Sequence, residues 1–110
     1  MYIRTKDGVY KVSHYNDWAT HKRKGATLID GDKSSYIKNE NIIAQSENLE
    51  ELCDVFVLIE RNAKPIIFKT LQGAINNKIY DDETIYGCIW TFKGLIYVAK
   101  TNEKGELVLI

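Results

Sequence analysis

The sequence predicts an α+β fold that is mostly antiparallel β sheet or a partly closed barrel, with two or three short helices. Three features carry that expectation. Residues 85–110 fall into three largely apolar segments broken by Lys93-Gly94 and by Asn102–Gly105, the layout of an antiparallel meander. Asp7-Gly8 separates two short alternating segments near the start, and both positions tolerate the positive φ of a tight hairpin turn. No unbroken apolar run exceeds five residues, the length of Val55–Ile59. That length suits a strand buried on both faces and falls far short of the about 20 residues of a membrane span.

Each element follows from local chemistry. A two-residue turn at Asp7-Gly8 pairs Lys6 with Val9, Thr5 with Tyr10, Arg4 with Lys11 and Ile3 with Val12. Period-2 alternation then points Ile3, Thr5, Tyr10 and Val12 inward, and Tyr2, Arg4, Lys6, Val9 and Lys11 outward. A helix is predicted over residues 13–25. Ser13 caps it, Tyr15, Trp18 and Ala19 form its apolar stripe, Lys22-Arg23-Lys24 suit its negative end, and Gly25 follows the last turn. Short strands follow at Thr27–Ile29, Ser35–Lys38 and Asn41–Gln45, with turns at Asp30-Gly31 and Asn39-Glu40. Asn48-Leu49-Glu50-Glu51 reads as a capping box that opens a short helix through Cys53. Val55–Glu60 is the buried strand, and Ile66–Phe68 extends beyond Pro65. Thr70–Asn77 is a second short helix with Leu71, Ala74 and Ile75 inward, weakened by Gly73.

The closing meander comprises Ile85–Phe92, Leu95–Lys100 and Glu106–Ile110. Pairing through Lys93-Gly94 places Ile85, Ile89, Ile96, Val98, Leu107 and Leu109 on one face, with Ile89, Val98 and Leu107 expected to be almost fully buried. Tyr86, Cys88, Trp90, Phe92, Leu95, Tyr97, Ala99, Val108 and Ile110 fall on the other. Both faces are apolar, whereas an antiparallel sheet normally wets one. Either the short helices at 48–53 and 70–77 cover the aromatic face, or that face meets something outside the chain.

Size and charge bound the function. The 110 residues predict a single domain over 1–110, and 45% hydrophobic with 27% charged residues suits a packed core. Fifteen basic residues balance fifteen acidic ones, which disfavours a general nucleic-acid binder. The charged start, Met1-Tyr2-Ile3-Arg4-Thr5-Lys6, predicts no export signal, so Cys53 and Cys88 are expected to be reduced and buried.

Three blocks carry a resemblance: Met1-Tyr2-Ile3-Arg4-Thr5-Lys6-Asp7-Gly8, Asn48-Leu49-Glu50-Glu51-Leu52-Cys53-Asp54, and Ile85-Tyr86-Gly87-Cys88-Ile89-Trp90-Thr91-Phe92-Lys93-Gly94-Leu95-Ile96-Tyr97-Val98-Ala99-Lys100. Together they resemble small proteins encoded in phages and prophages of low-GC Gram-positive bacteria. The resemblance implies a phage origin and a cytoplasmic location in a bacterial host cell. It implies no activity and no functional residues.

Candidate chemistry is sparse. On a helix, His14, Asp17 and His21 would share one face and could hold a divalent metal, against the plainer reading of a solvated face. Cys53 and Cys88 have no nucleophile elbow or oxyanion turn beside them. Asp81-Asp82-Glu83 lacks the alternating ligands of a calcium loop and reads as a solvated acidic loop. The basic residues Arg4, Lys6, Lys11, Lys22, Arg23 and Lys24, with Tyr2 for stacking, could form a phosphate-binding patch. No catalytic residue, cofactor or metal is therefore expected. The leading expectation is a non-enzymatic phage accessory protein acting by protein–protein contact, with a host factor or a second copy, through Tyr86, Trp90, Phe92 and Tyr97. The alternative is a small nucleic-acid-binding β-barrel.

Overall fold

The structure is a computed structural model that describes residues 1–15, 24–31, 35–59 and 64–110. The helix expected over 13–25 lies mostly outside the described residues, with Ser13, His14, Tyr15, Lys24 and Gly25 visible at its two ends. Ten short strands are described, all paired antiparallel, with a single short α-helix and two 3₁₀ turns among the described residues. The chain forms two compact units, Met1–Asn48 and Leu49–Ile110. The described strands lie in open sheets, and none closes into a barrel.

In the first unit, β1 (Tyr2–Arg4) pairs with β2 (Val9–Lys11) on one side and β5 (Ala44–Ser46) on the other. β3 (Ala26–Ile29) and β4 (Ser35–Lys38) form a second hairpin. A single bridge, Val12↔Ile29, joins the two groups. It is flanked by Ser13 N–H donating to Leu28 O (3.0 Å) and Asp30 N–H donating to Lys11 O (2.9 Å). Asn39–Asn41 is a 3₁₀ turn, so the third strand of this region starts at Ala44 rather than Asn41.

The opening hairpin slips from its expected register. Ile3 faces Tyr10 and Arg4 faces Val9, so the loop is Thr5–Gly8 rather than Asp7-Gly8 alone. The Thr5 hydroxyl accepts the Asp7 N–H (3.2 Å), and Thr5 N–H donates to Gly8 O (2.9 Å). That side-chain turn replaces the positive-φ turn. Gly8 instead admits the Tyr10 ring, whose hydroxyl lies 3.1 Å from where a Cβ would stand. The slip is two residues, so the faces survive it. Ile3 and Thr5 are buried and Lys6 and Lys11 exposed as expected, although Val9, expected outside, is buried.

The second unit is a five-stranded sheet in the order β10-β9-β8-β6-β7. Its strands are β6 (Val55–Leu58), β7 (Ile66–Phe68), β8 (Ile85–Thr91), β9 (Gly94–Thr101) and β10 (Leu107–Leu109). Leu49–Leu52 forms a 3₁₀ turn in place of the expected capped α-helix. The α-helix α1 (Leu71–Asn76) is capped by Thr70, whose hydroxyl accepts the Gly73 N–H at 3.0 Å. Phe56, Leu58, Ala74 and Ile85 form its buried core, with Cys53, Phe68, Leu71 and Leu107 packed against them. Ile75, expected inward, is exposed, because Leu71 and Ala74 alone face the sheet.

A β-bulge organises the C-terminal hairpin. Cys88 faces Tyr97 and Gly87 faces Ala99, so Val98 is an extra residue in β9. Beyond it, Ala99 moves to the face of Gly87 and Ile85, which corrects its expected place among the aromatics. The turn also differs: Thr91 pairs with Gly94 across Phe92-Lys93, and Gly94 takes the positive φ of 106°. Ile89 is fully buried and Val98 nearly so, while Leu107 stays partly exposed because β10 is an edge strand.

Gly87 sits where no side chain fits. A Cβ there would lie 2.7 Å from Cys53 Sγ and 3.3 Å from the Ala99 Cβ. Gly87→Ala is expected to destabilise by about 1–3 kcal/mol through overpacking. Urea denaturation of Gly87→Ala, Cys53→Ala and the double variant checks this: Cys53→Ala should recover most of the loss caused by the added methyl.

Candidate functional site

The β8–β9 hairpin presents one face of large side chains. Register places Trp90 beside Leu95, Cys88 beside Tyr97, and Tyr86 beside Lys100. The bulge draws Tyr86 toward Tyr97, and their rings stack at 4.9 Å with planes 21° apart. Trp90 is 54% exposed, Tyr97 43% and Phe92 82%. Phe92 stands in the turn rather than on the sheet face, with Lys93 Nζ 5.7 Å from its ring centre. The expected partner residues Tyr86, Trp90 and Tyr97 are thus brought together, and Phe92 lies at the hairpin tip.

Strand register adds a residue that sequence reasoning passed over. Ile67 of β7 faces Val57, which faces Tyr86, so Ile67 shares the aromatic face and is exposed. Its signal was the apolar Ile66-Ile67-Phe68 run, whose side of the sheet only the pairing reveals. The short helix does not cover this face. Leu71 and Ala74 of α1 pack on Phe56, Leu58 and Ile85, which lie on the opposite face.

The exposed hairpin end outruns its neighbour. β6 pairs with β8 only as far as Val55↔Cys88, so Trp90 has no strand partner on that side. Asp54 fills the gap: its Oδ2 accepts the Trp90 N–H at 2.8 Å, while its own N–H donates to Cys88 O at 2.8 Å.

Neither cysteine is in a disulfide, and burial pushes Cys88 from its ordinary 9.0 up to about 11. His14 is exposed with its ring 3.9 Å from that of Tyr15, while Asp17 and His21 lie outside the described residues. Among the described residues no three His, Cys, Asp or Glu side chains converge as a metal centre. Glu83, expected in a solvated loop, is buried, which corrects that expectation.

The basic candidates are only partly gathered. Tyr2 faces Lys11 across β1 and β2, and Arg4 shares that side, while Lys6 sits in the loop. Lys24 lies at the turn before β3, and Lys22 and Arg23 are outside the described residues. A cleft of about 470 Å³ between the Thr5–Asp7 loop and β4 holds Lys6 and Lys38 against Asp7 and Glu40, with Tyr10 and Tyr36. Its formal charges cancel. No helix among the described residues is long and apolar enough to cross a membrane.

Two measurements follow from this geometry. Asp54→Ala removes the acceptor of the Trp90 N–H, so amide exchange at Trp90 should accelerate and stability should fall by about 0.5–1.5 kcal/mol. Cys88 holds its proton in the fold to a higher pH than in the unfolded chain. Its contribution to stability is therefore full below about pH 9 and is lost as pH rises toward about 11. Denaturation across that window should show a steeper decline for the native chain than for Cys88→Ala.

No protein-family model, no curated protein and no solved structure matches this chain.

Proposed function

We propose that this chain acts by protein–protein contact through the aromatic face of its C-terminal hairpin. On this proposal it is a small accessory protein of a phage or prophage, works in the cytoplasm of a bacterial host, and performs no catalytic step. The exposure of Trp90 supports the reading most directly. A tryptophan more than half exposed beside an exposed tyrosine adds less to the fold than a core aromatic does, while these two residue types dominate binding hot spots. Ile67 and Leu95 supply the apolar surround that excludes water from such contacts. The Tyr86–Tyr97 stack holds two of the rings in fixed orientation, which lowers the entropy lost on binding.

Trp90→Ala and Tyr97→Ala test the proposal, with urea denaturation and sedimentation velocity over a concentration series run side by side. Each substitution should lower stability by less than about 1 kcal/mol, against about 3–5 kcal/mol for a core aromatic. Each should abolish self-association, or capture of the protein partner that the native chain retains from the bacterial host. A loss of several kcal/mol would assign the aromatics to the core. Undiminished association would move the interface elsewhere, and salt-sensitive binding to DNA would favour a nucleic-acid role instead.

A further inference from the structure

The five-stranded sheet ends in two edges, β7 and β10, and the chain guards only one of them with Lys and Pro. A sheet edge carries a row of unpaired backbone groups, which proteins keep from pairing with other chains by Lys, Pro or a bulge. At β7, Lys64-Pro65 precede the strand, Lys69 follows it, and α1 contacts it. At β10, every residue from Leu107 to Ile110 is apolar, and the pairing with β9 runs without a bulge. The 3₁₀ turn Leu49–Leu52 contacts β10, yet Leu107, Val108 and Leu109 stay partly exposed and Ile110 is exposed.

The hydrogen bonds of β10 fix which backbone groups are open. Ile110 N–H donates to Val98 O at 3.1 Å, and Asn102 N–H donates to Glu106 O at 2.9 Å. Backbone groups alternate sides along a strand, so those of Glu106, Val108 and Ile110 face β9. Those of Leu107 and Leu109 point the other way, where the sheet has no further strand. An added antiparallel strand meets them only if its own outward residues fall opposite these two.

A second copy of β10 meets that condition. Turned about a two-fold axis at Val108, it sets Leu107 opposite the Leu109 of the other copy, with both backbone bonds exchanged, and Val108 opposite its own counterpart. Leucines then meet leucines on the side of Ala99 and Gly87, and the valines meet on the side of Lys100 and Tyr86. No charge faces a like charge in this register, because Glu106 falls opposite Ile110. We propose that the chain forms a two-fold dimer by pairing β10 with β10, which joins two five-stranded sheets into one. The guarded β7 edge stops further addition, so assembly closes at two copies. The contact is short, which makes the dimer weak and dependent on concentration. The dimer does not rest on the aromatic-face reading: pairing leaves Trp90 and Tyr97 open to a different protein and sets the two aromatic faces on the same side of the joined sheet.

Sedimentation velocity over a concentration series should show monomer passing to dimer and no larger species. Val108→Glu tests the central pair. Within one copy the new carboxylate stands beside Lys100, an opposite charge, whereas across the axis it meets itself, so the dimer should weaken about ten-fold or more. Val108→Lys should also weaken it, and an equal mixture of the two variants should dimerise where neither does alone, since opposite charges then meet at the axis. Val108→Cys reads the register and serves where the charged variants do not fold. Its two Cβ atoms would lie about 5 Å apart, so mild oxidation should give a disulfide-linked dimer, whereas Lys100→Cys, one strand further in, should give none. Trp90→Ala and Tyr97→Ala should leave the dimer in place. A native chain that is monomeric at every concentration would overturn the proposal, as would a dimer that both charged variants retain or that Val108→Cys does not cross-link. A dimer lost in Trp90→Ala but kept in Val108→Glu would overturn it too, and would assign self-association to the aromatic face.

Discussion

The extra residue in β9 opposite Gly87 and Cys88 is the constraint on which the C-terminal sheet depends. Val98 interrupts the alternation of β9, so residues before and after it exchange faces. Without it, Ala99 would lie with Tyr86 and Trp90, and Lys100 would point at the core. With it, Ala99 meets Gly87 and Lys100 stands outside beside Tyr86. The inward side then has room for the Cys53 thiol, which sits directly over the missing side chain of Gly87. Bulge, glycine and cysteine form one device: the bulge brings a small alanine to the tight spot, and the glycine lets the chain that follows the 3₁₀ turn approach the sheet. Core packing on one face and aromatic exposure on the other both follow from that arrangement.

Much of this was legible in the sequence. The strands at Ser35–Lys38, Ile66–Phe68 and in the closing meander stand close to where the apolar segments and turn residues put them, because turn chemistry is local. Registers were not legible. Both hairpins pair two residues away from the simplest turn, since Thr5 and Thr91 hydroxyls bind backbone groups inside the turns and reset the closing pair. Side-chain faces were robust to this error, because a two-residue slip restores the alternation. The bulge was invisible for a different reason: Val98 and Ala99 are both apolar, so polarity does not mark the residue that has lost its partner.

The side of the sheet on which α1 lies was also beyond the sequence. Both faces of β8 and β9 are apolar, and a helix of six residues with Leu71 and Ala74 as its buried contacts suits either. In the structure Ala74 packs with Phe56, Leu58 and Ile85, on the face that Gly87 and Ala99 share. Glu83 escaped for a related reason. A run of three acidic residues reads as solvated on composition alone, and only the turn that ties Glu83 to Tyr80 reveals that one of them points inward.

The aromatic face also has a local task that shapes how it could evolve. Past Val55↔Cys88, the β8–β9 hairpin continues as two strands with only each other for partners in the sheet. A two-stranded ribbon is marginal in water, and cross-strand pairs of large apolar side chains are what stabilise it. Trp90 against Leu95 is such a pair, and the Asp54 carboxylate supplies the hydrogen bond that a third strand would otherwise have made. An exposed tryptophan there is consistent with a free-standing hairpin end, so its presence requires less from a partner than an isolated surface tryptophan would. The same overhang leaves the face unobstructed by β6. The residues that hold the ribbon together are therefore the ones that the proposed contact would use, so on that proposal the order of the hairpin tip and binding are coupled.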